Sequence, residues 1–484
     1  MTKVEMESHA LLIGGKQVPA ASGESLPMID PCNGETFAHI ASGGAEDIDR
    51  AVRAAQAALD GAWGKTPPVE RSRILQRWAR LIMDNFEELA MIESRDTGKP
   101  LTAGRADITA TARYFEFYAG AADKLHGQVI PYLDGYSVNV LRVPYGVTGH
   151  IIPWNYPAQQ YGRTVAAALA VGNAVVVKPS EDACLSTIKI SQLGVEAGLP
   201  AGALNVVTGL GETAGAALTA HPGINFISFT GSPEVGTLVQ QAAARNHVGC
   251  TLELGGKSPQ VIFADADLDK ALPVVVKAII QHAGQTCSAG SRVLVEQRIY
   301  DDFIGKVAKA FSKLRVGTPE MDLDCGPLMN PTQRDKVVLF TKEAIASGVP
   351  LLAEGQLADG LNPAGYWVKP ALFGNVPRDH RLACEEVFGP VLSAIPFKDE
   401  EDAIQLANAT DYGLVGAVWT SNGDRQQRVA KRMNCGQVFI NNFGAGGGVE
   451  LPFGGMKKSG HGREKGFLAL EHMTTTKTVV HFHG

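Results

Sequence analysis

Between Val147 and Leu254 short β-branched runs alternate with helix-patterned stretches, and this rhythm limits the possible folds more than any other feature of the chain. The runs V-T-G-H-I-I, N-A-V-V-V-K, N-V-V-T, I-N-F-I-S-F and T-L-E-L read as strands buried on both faces. Such strands separated by helices predict a parallel, doubly wound sheet. The rhythm resumes at Gln260–Phe263 and Arg292–Glu296, which predicts a second α/β unit. Apolar residues at three-to-four spacing predict helices over Asp47–Leu59 and Arg71–Ile92. Residues 126–145 change to a two-residue period around Asp134-Gly135, the pattern of an antiparallel hairpin. The C-terminal T-T-T-K-T-V-V-H-F-H predicts a strand that needs a partner, either that hairpin or another subunit.

Composition narrows the function classes. With 44 basic and 50 acidic residues the net charge is −6, so the chain carries no electrostatic footprint for nucleic acid or an anionic membrane. No run approaches the ~18 apolar residues of a membrane span. The seven cysteines are scattered without a C-x-x-C pair, which predicts a reducing compartment, no disulfide framework and no zinc ribbon. Glu5 and Glu7 interrupt any apolar leader, so the expected location is cytoplasmic. H-E-x-x-H, paired metal ligands and G-x-S-x-G are all missing, and no metal site is expected.

Ligands of open α/β sheets bind beyond the carboxyl ends of the strands. Gly209 to Gly215 follows one strand, but its G-x-G-x-x-x-G is one residue longer than the usual dinucleotide fingerprint. Ser232 and Pro233 follow another, placed as the N-cap and first turn of a helix that could receive an anion. L-E-L-G-G-K-S imitates a phosphate loop, yet Thr251 stands where its first glycine belongs. Cys287 lies in the small-residue loop G-Q-T-C-S-A-G after a helix predicted over Asp267–Ala283. Small neighbours admit a substrate to a thiolate, although a single cysteine is ordinarily an inert buried thiol unless a base attends it. His282, on the same predicted helix, offers no better base.

P-W-N-Y-P (153–157), V-V-K-P-S-E (176–181), F-T-G-S-P-E-V-G (229–236), L-E-L-G-G-K-S-P (252–259), G-Q-T-C (284–287), E-E-V-F-G-P-V (385–391) and P-F-G-G-M-K-K-S-G (452–460) occur together and in order. This set resembles the NAD(P)-dependent aldehyde dehydrogenase family across essentially the whole chain. The resemblance implies Cys287 as nucleophile, Asn155 as oxyanion donor and Glu253 as the base that activates water, with a free carboxylic acid as product. It implies NAD as cofactor. Lys178 and Glu181 would hold the adenosine ribose, with Trp154 a wall nearby. Gly211, Ser232 and Val235 would surround the pyrophosphate and adenine, and Glu386 and Phe388 would position the nicotinamide side. Gln160 and Arg163 would line the substrate tunnel. Arginine at 163 is similar to succinate-semialdehyde dehydrogenases, which implies an aldehyde bearing a carboxylate; the alternative is an uncharged aldehyde with Arg163 structural.

The expected architecture is α/β: a Rossmann-type NAD-binding domain (1–125 and 146–255), a catalytic domain (256–455) and a small β oligomerisation element (126–145 and 456–484). A homodimer or homotetramer follows from the resemblance. A crystallin-like scaffold is disfavoured because nucleophile, base and oxyanion donor are all present. A cysteine hydrolase would have no use for the cofactor motifs.

Overall fold

The structure is a computed structural model that describes residues 7–444 and 448–484. Its first sheet has eight strands, in the order Gly460–His461, Gly249–Glu253, Phe226–Thr230, Val147–Ile152, Ala174–Pro179, Leu204–Val206, Leu11–Ile13 and Lys16–Val18. The central five are mutually parallel, as their two-sided burial requires. Chain order reverses between Val147–Ile152 and Phe226–Thr230, so the carboxyl ends of those two strands open the crevice in which such sheets bind ligands. Helix Pro157–Ala170 leaves the first of them and is buried along nearly its whole length, between the sheet and helix Leu101–Ala121. Gly162 permits that approach, because a Cβ there would lie 3.2 Å from Thr111 Cγ2.

The second sheet has seven strands, in the order Leu351–Glu354, Ala371–Phe373, Val391–Phe397, Arg292–Glu296, Pro259–Ile262, Val415–Trp419 and Gln437–Ile440. All pair in parallel except Leu351–Glu354 at the edge. The chain passes from Glu253, the last residue of its strand in the first sheet, to Pro259 in the second through Gly255-Gly256. The predicted hairpin and terminal strand do meet: Thr474–Phe482 pairs antiparallel with Tyr136–Pro144, which also pairs with Gln128–Ile130. Val129, Tyr132, Leu133, Val480 and Phe482 stand exposed on this arm.

Three expectations need correction. Residues 456–473 do not belong to the arm. Gly460–His461 extends the first sheet beside Glu253 and Leu252, and Ala469, Leu470 and Met473 join the core of that sheet because the helix Leu468–His472 turns an apolar face inward. The helix over 71–92 is two helices, Pro68–Asp84 and Phe86–Thr97, divided at Asn85, whose side-chain amide donates to the Leu81 carbonyl and ends the first. The helix before Cys287 stops at Ile280, and His282 and Ala283 adopt left-handed conformations (φ 47° and 51°). The turn must be this tight because Gly284 passes so close to Gly389 that a Cβ would lie 2.1 Å from the Gly389 carbonyl oxygen. Among the described residues no helix is long and apolar enough to cross a membrane.

Candidate active site

Asn155 follows strand Val147–Ile152 at the switch point and is buried. Its Nδ2 donates to the Gln285 carbonyl at 2.9 Å, leaving the second N–H of the same amide for another acceptor. Cys287 lies two residues beyond Gln285, against the buried cluster of Leu414, Val415 and Phe453, on which Phe439 and Phe443 also pack. Gly256 runs beneath the nucleophile loop, and a Cβ there would lie 2.5 Å from the Cys287 carbonyl oxygen. Burial pushes the Cys287 thiol up to about 12, against the pull of Arg163.

Glu253 ends strand Gly249–Glu253 with its side chain buried. Neither carboxyl oxygen has a hydrogen-bond partner. Burial holds this carboxyl well above its ordinary range; Arg163, with Nη2 3.6 Å away, opposes that shift, and Glu464 reinforces it. A carboxyl shifted upward in this way is a stronger base when ionised than an ordinary carboxylate.

Arg163 is paired inside the protein. Its Nε forms a close ion pair with Glu464, without hydrogen-bond geometry, and its guanidinium carbon lies 4.5 Å from the centre of the Phe453 ring. Burial works against the charge, and Glu464 and Glu253 outweigh it. The guanidinium therefore has carboxylates of the protein beside it. Gln160, one turn earlier, is buried with its Oε1 unpartnered.

The residues expected at the cofactor assemble in three places. Lys178 Nζ lies 2.5 Å from Glu181 Oε2, and Gly211 N donates to Glu181 Oε1 at 3.0 Å, joining the ends of two strands. Lys178 holds the Glu181 carboxyl below its ordinary range although burial opposes it. Ser232 caps helix Pro233–Arg245 by accepting from Val235 N at 3.3 Å, as its sequence position predicts. Across the crevice Glu386 Oε1 accepts from Gly256 N at 2.8 Å, and burial raises its carboxyl to about 7. Phe388, at φ 58°, sets its ring edge-on to Trp154 with centroids 5.5 Å apart. Gln333 Nε2 fixes that turn by donating to the Phe388 carbonyl at 2.6 Å.

Sequence reasoning passed over Gln285, Gln333 and Glu464. Glu464 follows the P-F-G-G-M-K-K-S-G motif closely, but nothing in its spacing points to Arg163. Lys465, beside it, has its ammonium 5.2 Å from the Phe453 ring and pushed down to about 7, chiefly by burial. Among the described residues no group of acidic, histidine and cysteine side chains forms a metal site.

Residues 18–479 match the aldehyde dehydrogenase family. The chain belongs to that family. A candidate aldehyde dehydrogenase from Burkholderia cenocepacia is 59% identical, with a TM-score of 0.98 over 98% of this chain and 100% of that one. The betaine aldehyde dehydrogenase of Staphylococcus aureus, solved in complex with NAD+, is 35% identical with a TM-score of 0.94, covering 98% of this chain and 94% of that one. The mitochondrial benzaldehyde dehydrogenase of Antirrhinum majus is 42% identical over 99% of this aldehyde dehydrogenase and 89% of its own length.

Proposed function

We propose that this enzyme oxidises an uncharged aldehyde to the free carboxylic acid with NAD, through a covalent intermediate on Cys287. The observation that carries the reading is the Asn155–Gln285 bond, which holds an amide donor beside the nucleophile loop with one N–H to spare. The Cys287 sulfur attacks the aldehyde carbon, and the developing oxyanion is taken by that N–H. NAD, when bound, supplies the hydride acceptor. The acyl group then sits on sulfur as a thioester. Glu253, with both oxygens free of hydrogen bonds, takes a proton from water as water attacks it.

The residues present fit the cofactor. Glu181, bridging Lys178 and Gly211 N at the strand ends, offers carboxylate oxygens to a ribose diol. The N-terminus of helix Pro233–Arg245 faces the same crevice edge for a phosphate, and Glu386 and Phe388 with Trp154 bound the far end. The arm of 128–144 and 474–482, with its exposed apolar side chains, would join copies of the chain into an oligomer.

The substrate reading rests on the surroundings of Cys287. Leu414, Val415 and Phe453 make an apolar wall against it, and the Arg163 guanidinium is paired with Glu464. A relative named for benzaldehyde points the same way. NADH appearance with benzaldehyde, butanal and succinic semialdehyde tests it. The expected kcat/KM for benzaldehyde exceeds that for succinic semialdehyde by about tenfold or more, since an unpaired carboxylate would enter an apolar site. The reverse order would return Arg163 to substrate recognition, and turnover surviving in Cys287→Ala would remove the covalent mechanism.

A further inference from the structure

A second buried charge cluster lies outside the groups that the reaction uses. Lys99, fully buried after helix Phe86–Thr97, directs its ammonium to Glu93 Oε1 at 3.2 Å and pairs closely with Asp107. The same ammonium sits 3.9 Å from the centre of the Tyr156 ring. Ser186 Oγ donates to Glu93 Oε2 at 2.6 Å, and Gln159 Nε2 donates to Asp107 Oδ1 at 2.6 Å, so both carboxylates are further satisfied. A cation held this firmly over a ring face fixes the ring.

The Tyr156 hydroxyl then reaches across to the catalytic domain. Gln281 Nε2 donates to it at 2.8 Å, and it lies 2.9 Å from Thr286 Oγ1. Thr286 Oγ1 is in turn 3.4 Å from the Gln281 carbonyl, which can only accept. The polarity is therefore determined: the amide donates to Tyr156, Tyr156 donates to Thr286, and Thr286 donates to Gln281. Beside this ring of bonds, Asn155 donates to Gln285. Two consecutive residues from one domain are thus bonded to two consecutive residues of the other, and the next residue in that loop is Cys287. The loop needs such support because His282 and Ala283, just before it, hold left-handed conformations.

We propose that Tyr156, seated on Lys99, is a positioning residue that sets the distance between the Asn155 amide and the Cys287 sulfur through its bond to Thr286. The proposal rests on the reading of Cys287 as nucleophile and Asn155 as oxyanion donor. Tyr156 touches neither reacting group. Its action is to keep the two on one frame, and displacement of a reacting group by about 1 Å costs about 10²-fold in rate.

The test is the pre-steady-state burst of NADH at saturating NAD and aldehyde in the full-length enzyme. Tyr156→Phe removes only the hydroxyl and is expected to lower the burst rate constant about tenfold or more, with NAD affinity unchanged within about twofold. Thr286→Val is expected to show the same loss, and Thr286→Ser, which keeps the hydroxyl, to recover it. The Tyr156→Phe, Thr286→Val double variant should be no slower than the slower single, because each already removes the bond between the two hydroxyls. If Tyr156→Phe fails to fold, the two Thr286 variants decide alone. A burst constant within twofold of the parent in the variants lacking a hydroxyl, or losses that multiply in the double variant, would overturn the proposal. Cys287→Ala separates it from the reading beneath it: turnover surviving there overturns both, whereas a parental burst in Thr286→Val beside an inactive Cys287→Ala overturns the positioning role alone.

Discussion

Helix Pro157–Ala170 touches two buried charge clusters, one through Gln159 and the other through Arg163, and the two treat their charges in opposite ways. Around Lys99 every carboxylate meets a side-chain donor: Ser186 and the ammonium on Glu93, Gln159 and the ammonium on Asp107. Around Arg163, where Lys465 also lies, Glu253 is left without a hydrogen bond, while Glu464 accepts from Ser228 and pairs with the guanidinium. A buried carboxyl without donors costs free energy, and folds tolerate it where a reaction needs a proton acceptor. The satisfied cluster serves as a frame; the unsatisfied one contains a group ready to titrate.

The contrast is broken most directly at Glu253. Glu253→Gln should slow release of the acyl group by about 10²–10⁴-fold, giving a burst of NADH followed by near-arrest. Its stability to denaturant should change by under about 1 kcal/mol, since a carboxyl with no donors has little to lose. A steady-state rate equal to the parent's would show that Glu253 does not activate water.

Lys99→Met should do the reverse. Removing the cation strands Glu93 and Asp107, and loss of one partner of a buried pair costs about 3–5 kcal/mol. Urea unfolding measures it. A loss below about 1 kcal/mol would mean that the Lys99 cluster is no frame.

The smallest effect is in the pH profile. Cys287 and Glu253 are acids held above their ordinary ranges, chiefly by burial, so their reactive deprotonated forms gain population as pH rises. The expected kcat/KM rises from about pH 6 to about pH 9, with no falling limb in that window. A flat profile would place the ionisations elsewhere and weaken the distinction between the two clusters.

Much of the site is legible without coordinates because it follows local rules. Ser232 before Pro233 reads as a cap from its residue type and position, and it caps. The β-branched runs read as strands buried on both faces, and five of them form the parallel centre of the first sheet. Cys287 stands out because only small residues surround it. The helix bounds around Asn85 and Ile280 were harder, since the apolar spacing continues past both breaks and the carbonyl contact that forces the turn at Gly284 comes from residue 389.

The sequence by itself determined the doubly wound architecture and the family, because periodicity, capping and motif spacing are all short-range; the roles of Cys287, Glu253 and Asn155 are what the resemblance implies. Only the tertiary structure decided what those residues meet. Arg163 pairs with Glu464, far along the chain, and no spacing in the sequence signals that pair. Lys99 carries no signal in the sequence, and the fold places its ammonium over the Tyr156 ring, whose hydroxyl meets Thr286. Charge pairing in a low-dielectric interior depends on distance in space and carries no sequence period, so the partner of a buried charge is known only when the chain has closed around it.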